Sequence, residues 1–442
     1  MSRRPVERRG LRLWPIGTVL VLTFILAGLV AASVFYTGWD LLGARGLKPE
    51  RRINSGTLFD LVKLSFGVVA GAGALVALVV AYRRQRVDEH GALREATRLH
   101  TERFTAAVTQ LGEESAAVRL GGVHALAGLA DDAPTPGLRQ TCIDVLCSYL
   151  RLPYIAEADL LADDAQARHA YLALWEVRHT VIRLIRDHLR LDLEHPHSWQ
   201  GHDFDLTAVR FDGGDFSGAR FSGGTVDFSD AEFSGDTVDF SKAWFSGGTV
   251  VFNNAKFSGE AVDFGRARFS GGTVYFSDVE FSGEMVLFGN TQFSGGKVDF
   301  NGVKFSSGTV YFVGAKFSGA TVYVGNAEFS GGTVHFLNAE FSSGLVHFTG
   351  ARFSGGTVDF NGAQFSGGTV DFRLAQFSGS QVGFNGAQFS RGTVDFREAQ
   401  LSGGTVDFSS ANGVVPDGLD PGHGVSLPSG LSLPSAWYPA GA

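Results

Sequence analysis

Histidines clustered beside a carboxylate are where chemistry is first sought, and this 442-residue chain has such a cluster in "HPHSWQGHD". His195, His197 and His202 beside Asp203 carry the imidazole and carboxylate donors that a zinc-type metal takes. The plainer reading is a polar loop leading into the next element, since no second ligand cluster accompanies it. A metal-dependent activity at His195, His197 and His202 stays an alternative, and the expectation is no metal. Glu176, His179 and Asp187, on one long amphipathic stretch, read as a solvated helix face. The serines of the second half, such as Ser354 and Ser366, recur at every corner of a repeat. A nucleophile repeated that often is turn chemistry. The repeats (204–411) hold no Cys and only His335 and His347, so no pocket of unlike groups is expected there. No catalytic residue, enzyme activity or cofactor is predicted.

A different set of residues varies in an informative way. Within the repeat "VDF", the residue between Val and Phe is Asp at eight of sixteen places: Asp227, Asp239, Asp263, Asp299, Asp359, Asp371, Asp395 and Asp407. In the middle of the chain it becomes Tyr275, Leu287, Tyr311, Tyr323, His335 and His347. The plainer reading is that outward Tyr simply suits a strand; alternatively, an outward aromatic patch on a regular rod would serve as a partner site. Two units per coil would stack Tyr323 beside His347 and Tyr311 beside His335, on different faces.

What positions these residues is the repeat itself. From Phe216 to Phe408 a Phe recurs every twelve residues, with Val324 the one exception. A second Phe series runs from Phe221 and ends at Leu401, and Val occupies every place from Val226 to Val406. A fourth series, from Ala219, is Ala at thirteen of sixteen places, with Val279, Thr291 and Val303 as substitutes. Each unit thus reads Val-x-Phe-x-x-Ala-x-Phe, then Ser-Gly-Gly-Thr or a near variant. Apolar residues two apart are strand alternation, and the Gly-rich corner turns the chain. One unit buries nothing alone, whereas stacked units share a core. A twelve-residue turn leaves little room for two facing rings. Twenty-four residues per coil seat four Phe, two Val and two Ala at interior density, giving eight coils and a rod of roughly 40 Å at about 4.8 Å per coil.

"VDFSD AEFSG" and "VDFNG AQFSG" resemble bacterial pentapeptide repeats, with a small residue, a polar one and then a central Phe or Leu. The resemblance covers Phe204 to about Ala411 and implies a right-handed, four-sided parallel β-helix. Its inward residues would include Ala351 and Phe353, and Val358 and Phe360. A Gly-Thr-like pair follows every second pentapeptide, and Val replaces Ala in alternate units, so the units are twelve-residue double pentapeptides. Some members of that family imitate duplex DNA toward type II topoisomerases. B-DNA would carry roughly two dozen charges over such a length, whereas residues 204–411 hold 21 acidic against 13 basic side chains, the whole of the net −8. Nucleic acid is not expected as a partner, and DNA mimicry stands as an alternative.

The first half differs in kind. "WPIGTVLVLTFILAGLVAASVFY" (Trp14 to Tyr36) and "LSFGVVAGAGALVALVVAY" (Leu64 to Tyr82) are uncharged runs of 23 and 19 residues, long enough to span a bilayer. Five Arg in the first twelve residues and "RRQR" at Arg83 to Arg86 flank them, against Arg45, Lys48, Arg51 and Arg52 between. The bias places both termini in the cytoplasm. From Val87 to about Arg190 apolar spacing is helical, and "AAVRLGGVHALAGLA" resembles a single HEAT-type repeat, too few for a solenoid. Cys142 and Cys147, five apart on a helix, face different ways and read as core residues in a reducing compartment. After Ala411, five Pro in thirty-one residues read as a flexible tail, with partial folding over the last coil as the other option.

The expected architecture is α plus β-solenoid: a two-span anchor (1–86), a helical connector (87–203), the repeats (204–411) and the tail (412–442). Two spans, a connector and such repeats resemble membrane-anchored proteins of actinomycete-type bacteria. The expected role is a non-enzymatic, membrane-anchored scaffold in the bacterial plasma membrane. It would display a cytoplasmic surface to a protein partner through Tyr275, Tyr311, Tyr323, His335 and His347; partner identity and oligomeric state stay open at this level.

Overall fold

The computed structural model describes residues 16–41, 55–161, 164–420 and 427–438. The basic N-terminal flank, Trp14, and Arg45, Lys48, Arg51 and Arg52 lie outside them. The chain divides into two compact units, Met1–Arg98 and Leu99–Ala442. The first holds α1 (Ile16–Leu41) and the start of α2 (Ser55–Leu111). Val21, Ile25 and Leu29 of α1, and Phe66, Val69 and Leu78 of α2, are exposed. Among the described residues one helix, α2, is long and apolar enough to cross a membrane. It does not end at the basic Arg83–Arg86 run but continues to Leu111, because that run contains no Gly or Pro to stop it.

In the second unit α3 (Ala116–Asp131), α4 (Pro136–Leu150) and α5 (Ala165–Arg190) form the connector. Thr135 caps α4 by accepting the Leu138 N–H at 3.3 Å, with Pro136 in the first turn. Asp164 does the same for α5 through Ala167 at 2.8 Å. Leu126, Ile143, Leu146, Val177 and Val181 make the apolar centre together with Cys142 and Cys147, all buried. Burial pushes the Cys142 thiol up to about 11 and Cys147 higher still, so both are inert packing residues.

The connector is pinned to the first coil by polar bonds. Arg178, 4 % exposed, donates to the carbonyls of Leu150 and Arg210 at 2.7 Å each. Its guanidinium lies 4.2 Å over the Tyr154 ring. Tyr171 donates its hydroxyl to the nearly buried Asp212 at 2.7 Å. A buried cation and a buried carboxylate, each satisfied, fix how the helices sit on the strands.

From Phe204 onward the chain is a parallel β-solenoid of about nine turns. Each coil adds two Thr-Val-x strands and two x-Phe strands, and these stack into two sheets. Phe341 faces Phe365 and Phe365 faces Phe389, so one coil is twenty-four residues. Twelve-residue closure is thereby excluded. The first coil is shorter, since Phe211 faces Phe233, and spacing at the other end varies, since Asp395 bridges Asp417 while Val406 faces Leu431.

Every Phe of the two series that is described by the repeat points inward. Phe360 is fully buried, stacked on Phe336 at 4.6 Å and Phe384 at 4.8 Å. Phe348 and Phe372 meet it edge-on at 6.0 and 5.9 Å, the alternation of offset and T-shaped contacts that aromatic rings prefer. Val324 interrupts the neighbouring stack, between Phe300 and Phe348, and a cavity of about 10 Å³ remains among Phe300, Phe312, Phe336 and Phe348. Thr291, standing for Ala, donates its hydroxyl to the Phe264 carbonyl at 2.8 Å, which satisfies a buried polar group.

The Gly-Gly corner recurs for lack of space. A side chain at Gly355 would lie 2.3 Å from the Ser330 oxygen, and one at Gly356 would lie 2.3 Å from the Gly332 oxygen, at φ +69°. The opposite corner, before Ala, also needs positive φ. It takes Gly362 and Asn338, and also Lys242, Arg266, Leu374 and Glu398. The tail is not wholly flexible: Leu431–Ser432 adds a strand to Thr405–Asp407. Trp437 packs 5.6 Å from Phe408 and donates to the Gly413 carbonyl at 2.9 Å, covering rings that would otherwise face water.

Candidate interaction surface

The outward Asp residues have a structural duty that the repeat pattern alone does not disclose. Each turns its carboxylate back to accept the N–H two residues on: Asp227 from Ser229 at 2.9 Å, Asp239 from Ser241 at 2.6 Å and Asp359 from Asn361 at 2.9 Å. Asp299, Asp371, Asp395 and Asp407 do likewise. These are Asx turns that hold the corner after Phe. At Asp371 burial raises the carboxyl's pKa, but the paired bonds from Arg373 outweigh it and hold the group below the usual range. At Asp395 the Arg397 fork is the largest influence and lowers it. Asp263 goes the other way, raised by burial and by neighbouring Asp239 despite the Gly265 N–H.

Of the eight places where this cap is given up, five carry rings, the others being Val251, Leu287 and Gly383, and the rings fall on two faces. On one sheet Tyr275, Asp299, Tyr323, His347 and Asp371 follow one another coil by coil. Tyr323 stacks on His347 at 5.2 Å, and His347 Nδ1 lies 3.6 Å from Asp371 Oδ2. Lys297 sits between the tyrosines, 5.2 Å from the Tyr275 ring and 4.9 Å from the Tyr323 ring, and pairs with Asp299 at 2.7 Å. On the other sheet Leu287, Tyr311, His335 and Asp359 are in register. Tyr311 stacks on His335 at 5.3 Å, and His335 Nδ1 lies 3.6 Å from Asp359 Oδ2. The rings are half-buried because each lies flat on its neighbour.

The first of these faces departs from the repeat in further ways. Lys316–Tyr323 and Glu340–His347 are eight-residue strands that pair across the corner with register shifts at Ser318, a form shared with Glu232–Asp239 on the other sheet. Leu345 replaces the usual Thr beside His347 and is 40 % exposed. Val324, the core exception, is the next residue after Tyr323.

A second outward column went unnoticed at the twelve-residue period and is visible only at twenty-four. Arg210, Glu232, Lys256, Glu280, Lys304, Glu328 and Arg352 are successive neighbours on one ladder. The sign alternates at each step, and Arg352 pairs with Glu328 at 2.9 Å. Opposite charges in register stabilise neighbouring strands and cancel the local field.

The histidine loop does not assemble a site. His202 Nδ1 lies 3.0 Å from Gln140 Oε1, and Asp203 accepts the Thr225 N–H at 2.7 Å. His197 turns toward Asp131 at 3.8 Å, and the His195 ring accepts the His197 N–H. Among the described residues no group of three potential ligands converges to hold a metal ion. His179 stacks on Trp175 at 3.8 Å and meets the Asp212 carbonyl, while Asp187 pairs with Arg186. Neither approaches Glu176 as a catalytic partner would. Ser354 and Ser366 stand at corners, their N–H groups bonded to the Phe329 and Phe341 carbonyls.

The sequence profile of the pentapeptide repeats, in nine copies, matches residues 216–262, 252–304 and 343–388. Residues 216–304 and 343–388 thus carry pentapeptide repeats. The matched segments lie within the solenoid, and the repeat's central Phe and the small residue two before it are the ones that point inward here, as at Phe353 and Ala351. Comparison with curated proteins and with solved structures finds no match for the chain.

Proposed function

We propose that this protein is a non-enzymatic scaffold, anchored in the bacterial plasma membrane by two spans with both termini cytoplasmic. Its rod would be right-handed and four-sided in cross-section, a reading that the four strands of each coil support. The partner surface is the face bearing Tyr275, Tyr323, His347 and Leu345, with Tyr311 and His335 on the second face. The observation that carries this reading is the surrender of the Asp cap for stacked rings on neighbouring coils. A repeat selected only to be a rod would keep a cap worth about 1 kcal/mol. The exposed apolar surfaces of α1 and α2 support the anchor.

DNA mimicry toward a topoisomerase fits the geometry less well. The Asp carboxylates are engaged by their own turns, and the flanking ladder alternates in sign, so no continuous anionic track runs along the rod.

Proximity labelling in the native cell tests the scaffold. Labelling should return a specific protein that is lost with Tyr323→Ala and weakened with Tyr311→Ala. An unchanged label set with both variants folded would remove these rings from the account.

A further inference from the structure

A polar cluster remains where α3, α5 and the loop 191–203 meet, apart from the surface described above. His188 lies in the last turn of α5. Its Nδ1 is 2.6 Å from the Leu184 carbonyl oxygen, and its Nε2 is 3.1 Å from Asp131 Oδ2. Both neighbours are acceptors. A neutral imidazole carries one N–H and can satisfy only one of them, whereas the imidazolium satisfies both. Trp199, fully buried, completes the cluster. Its indole N–H donates to Asp131 Oδ1 at 3.1 Å, and its ring stacks on His188 with centroids 4.0 Å apart and planes 14° from parallel. A cation against an indole face is favourable, most of all when desolvated.

We propose that His188, Asp131 and Trp199 form a proton-operated latch that clamps the loop leading into the first coil onto the connector helices. With His188 charged, one carboxylate ties α3 to both α5 and the loop. With His188 neutral, the Leu184 carbonyl or the carboxylate loses its donor, and the stacked cation is gone.

The surroundings are consistent with a charged ring. Asp131 faces it from α3, and Asp187 lies on α5 beside it. His197, on the loop, is 3.8 Å from the same Asp131 oxygen and competes for it. Arg139 of α4 spends its donors on main-chain oxygens of Ala130, Asp131, Pro196 and Ser198, leaving the carboxylate to His188 and Trp199. The C-terminal turn of a helix also favours a cation. Burial works against the charge, yet the Asp131 bond, the Leu184 carbonyl and the Asp131 charge together raise His188 above the ordinary imidazole value. For a raised histidine the stabilisation is complete below about pH 6.5, falls as pH rises from there through the folded-state midpoint, and is absent above it.

The test uses the full chain in detergent micelles, with ring-labelled histidine followed by NMR and amide exchange read across 191–203. His188, assigned by its loss in His188→Asn, should titrate above about 6.5, and Asp131→Asn should bring it to that value or lower. Opening of 191–203, corrected for intrinsic exchange, should rise by up to roughly tenfold per pH unit between about 6.5 and that midpoint and then level off. In His188→Asn the loop should open readily at every pH. A wild-type midpoint at or below the ordinary value, a midpoint indifferent to Asp131→Asn, or loop exchange with no step in that window would overturn the latch.

Discussion

Phe360→Ala should be the sharpest single test of how the solenoid holds together. Phe360 is fully buried, and its ring touches four others at 4.6, 4.8, 6.0 and 5.9 Å. Truncating a buried Phe costs about 3–5 kcal/mol, and aromatic pairs add about 0.5–1.5 kcal/mol each beyond area. The coils above and below cannot close the gap, because their backbones are held apart by the parallel ladder. A loss of about 4–5 kcal/mol is therefore expected. In a stack where each coil touches only its neighbours, that loss falls on one junction. The C-terminal piece beyond it holds only a few coils and Trp437. Hydrogen exchange under native conditions should show residues 360–420 losing protection well before residues 210–300. Equal loss along the whole solenoid, or a loss below about 2 kcal/mol, would refute the nearest-neighbour reasoning.

Two further outcomes follow from the corners. Leu374 sits at φ +61° and is half-exposed, so Leu374→Gly should relieve left-handed strain and gain about 1 kcal/mol in denaturant unfolding; a destabilised variant would contradict this. Asp395 is buried and lowered first by its Arg397 bonds, so its contribution is present above about pH 4 and lost as pH falls through the depressed folded value. Arg397→Ala removes that cause and should move the onset of acid unfolding upward, measured by far-UV circular dichroism; an unmoved onset would show that the pair does not matter.

Much of the solenoid could be read from the residues, since inward position depends only on alternation and on ring volume. Phe353, Ala351, Val358 and Phe360 point inward as that rule requires, and the twenty-four-residue coil follows from fitting four rings per layer. The pairing of Tyr323 with His347 and of Tyr311 with His335 came from the same arithmetic. What stayed hidden depends on longer registers or on tertiary placement. The Asp caps needed the corner geometry. The alternating ladder from Arg210 to Arg352 is split between neighbouring units. Arg178 and Asp212, thirty-four residues apart, look like ordinary surface charges until α5 is laid on the first coil. In the histidine loop, spacing along the chain says little about where rings turn: His202 goes to Gln140 and His197 toward Asp131. Pro-rich composition hid the cap formed by Trp437, whose role depends on exposed rings at the solenoid end.

The most direct test of the scaffold role is a photocrosslinker placed in turn at 227, 275, 323 and 371, four positions on one outward ladder, in full-length protein within its native cell. Adducts to one protein should peak at 323, with 275 weaker and 227 near background. Adducts spread evenly over the four positions, or concentrated at 227, would mean that the stacked rings are not where this rod is read.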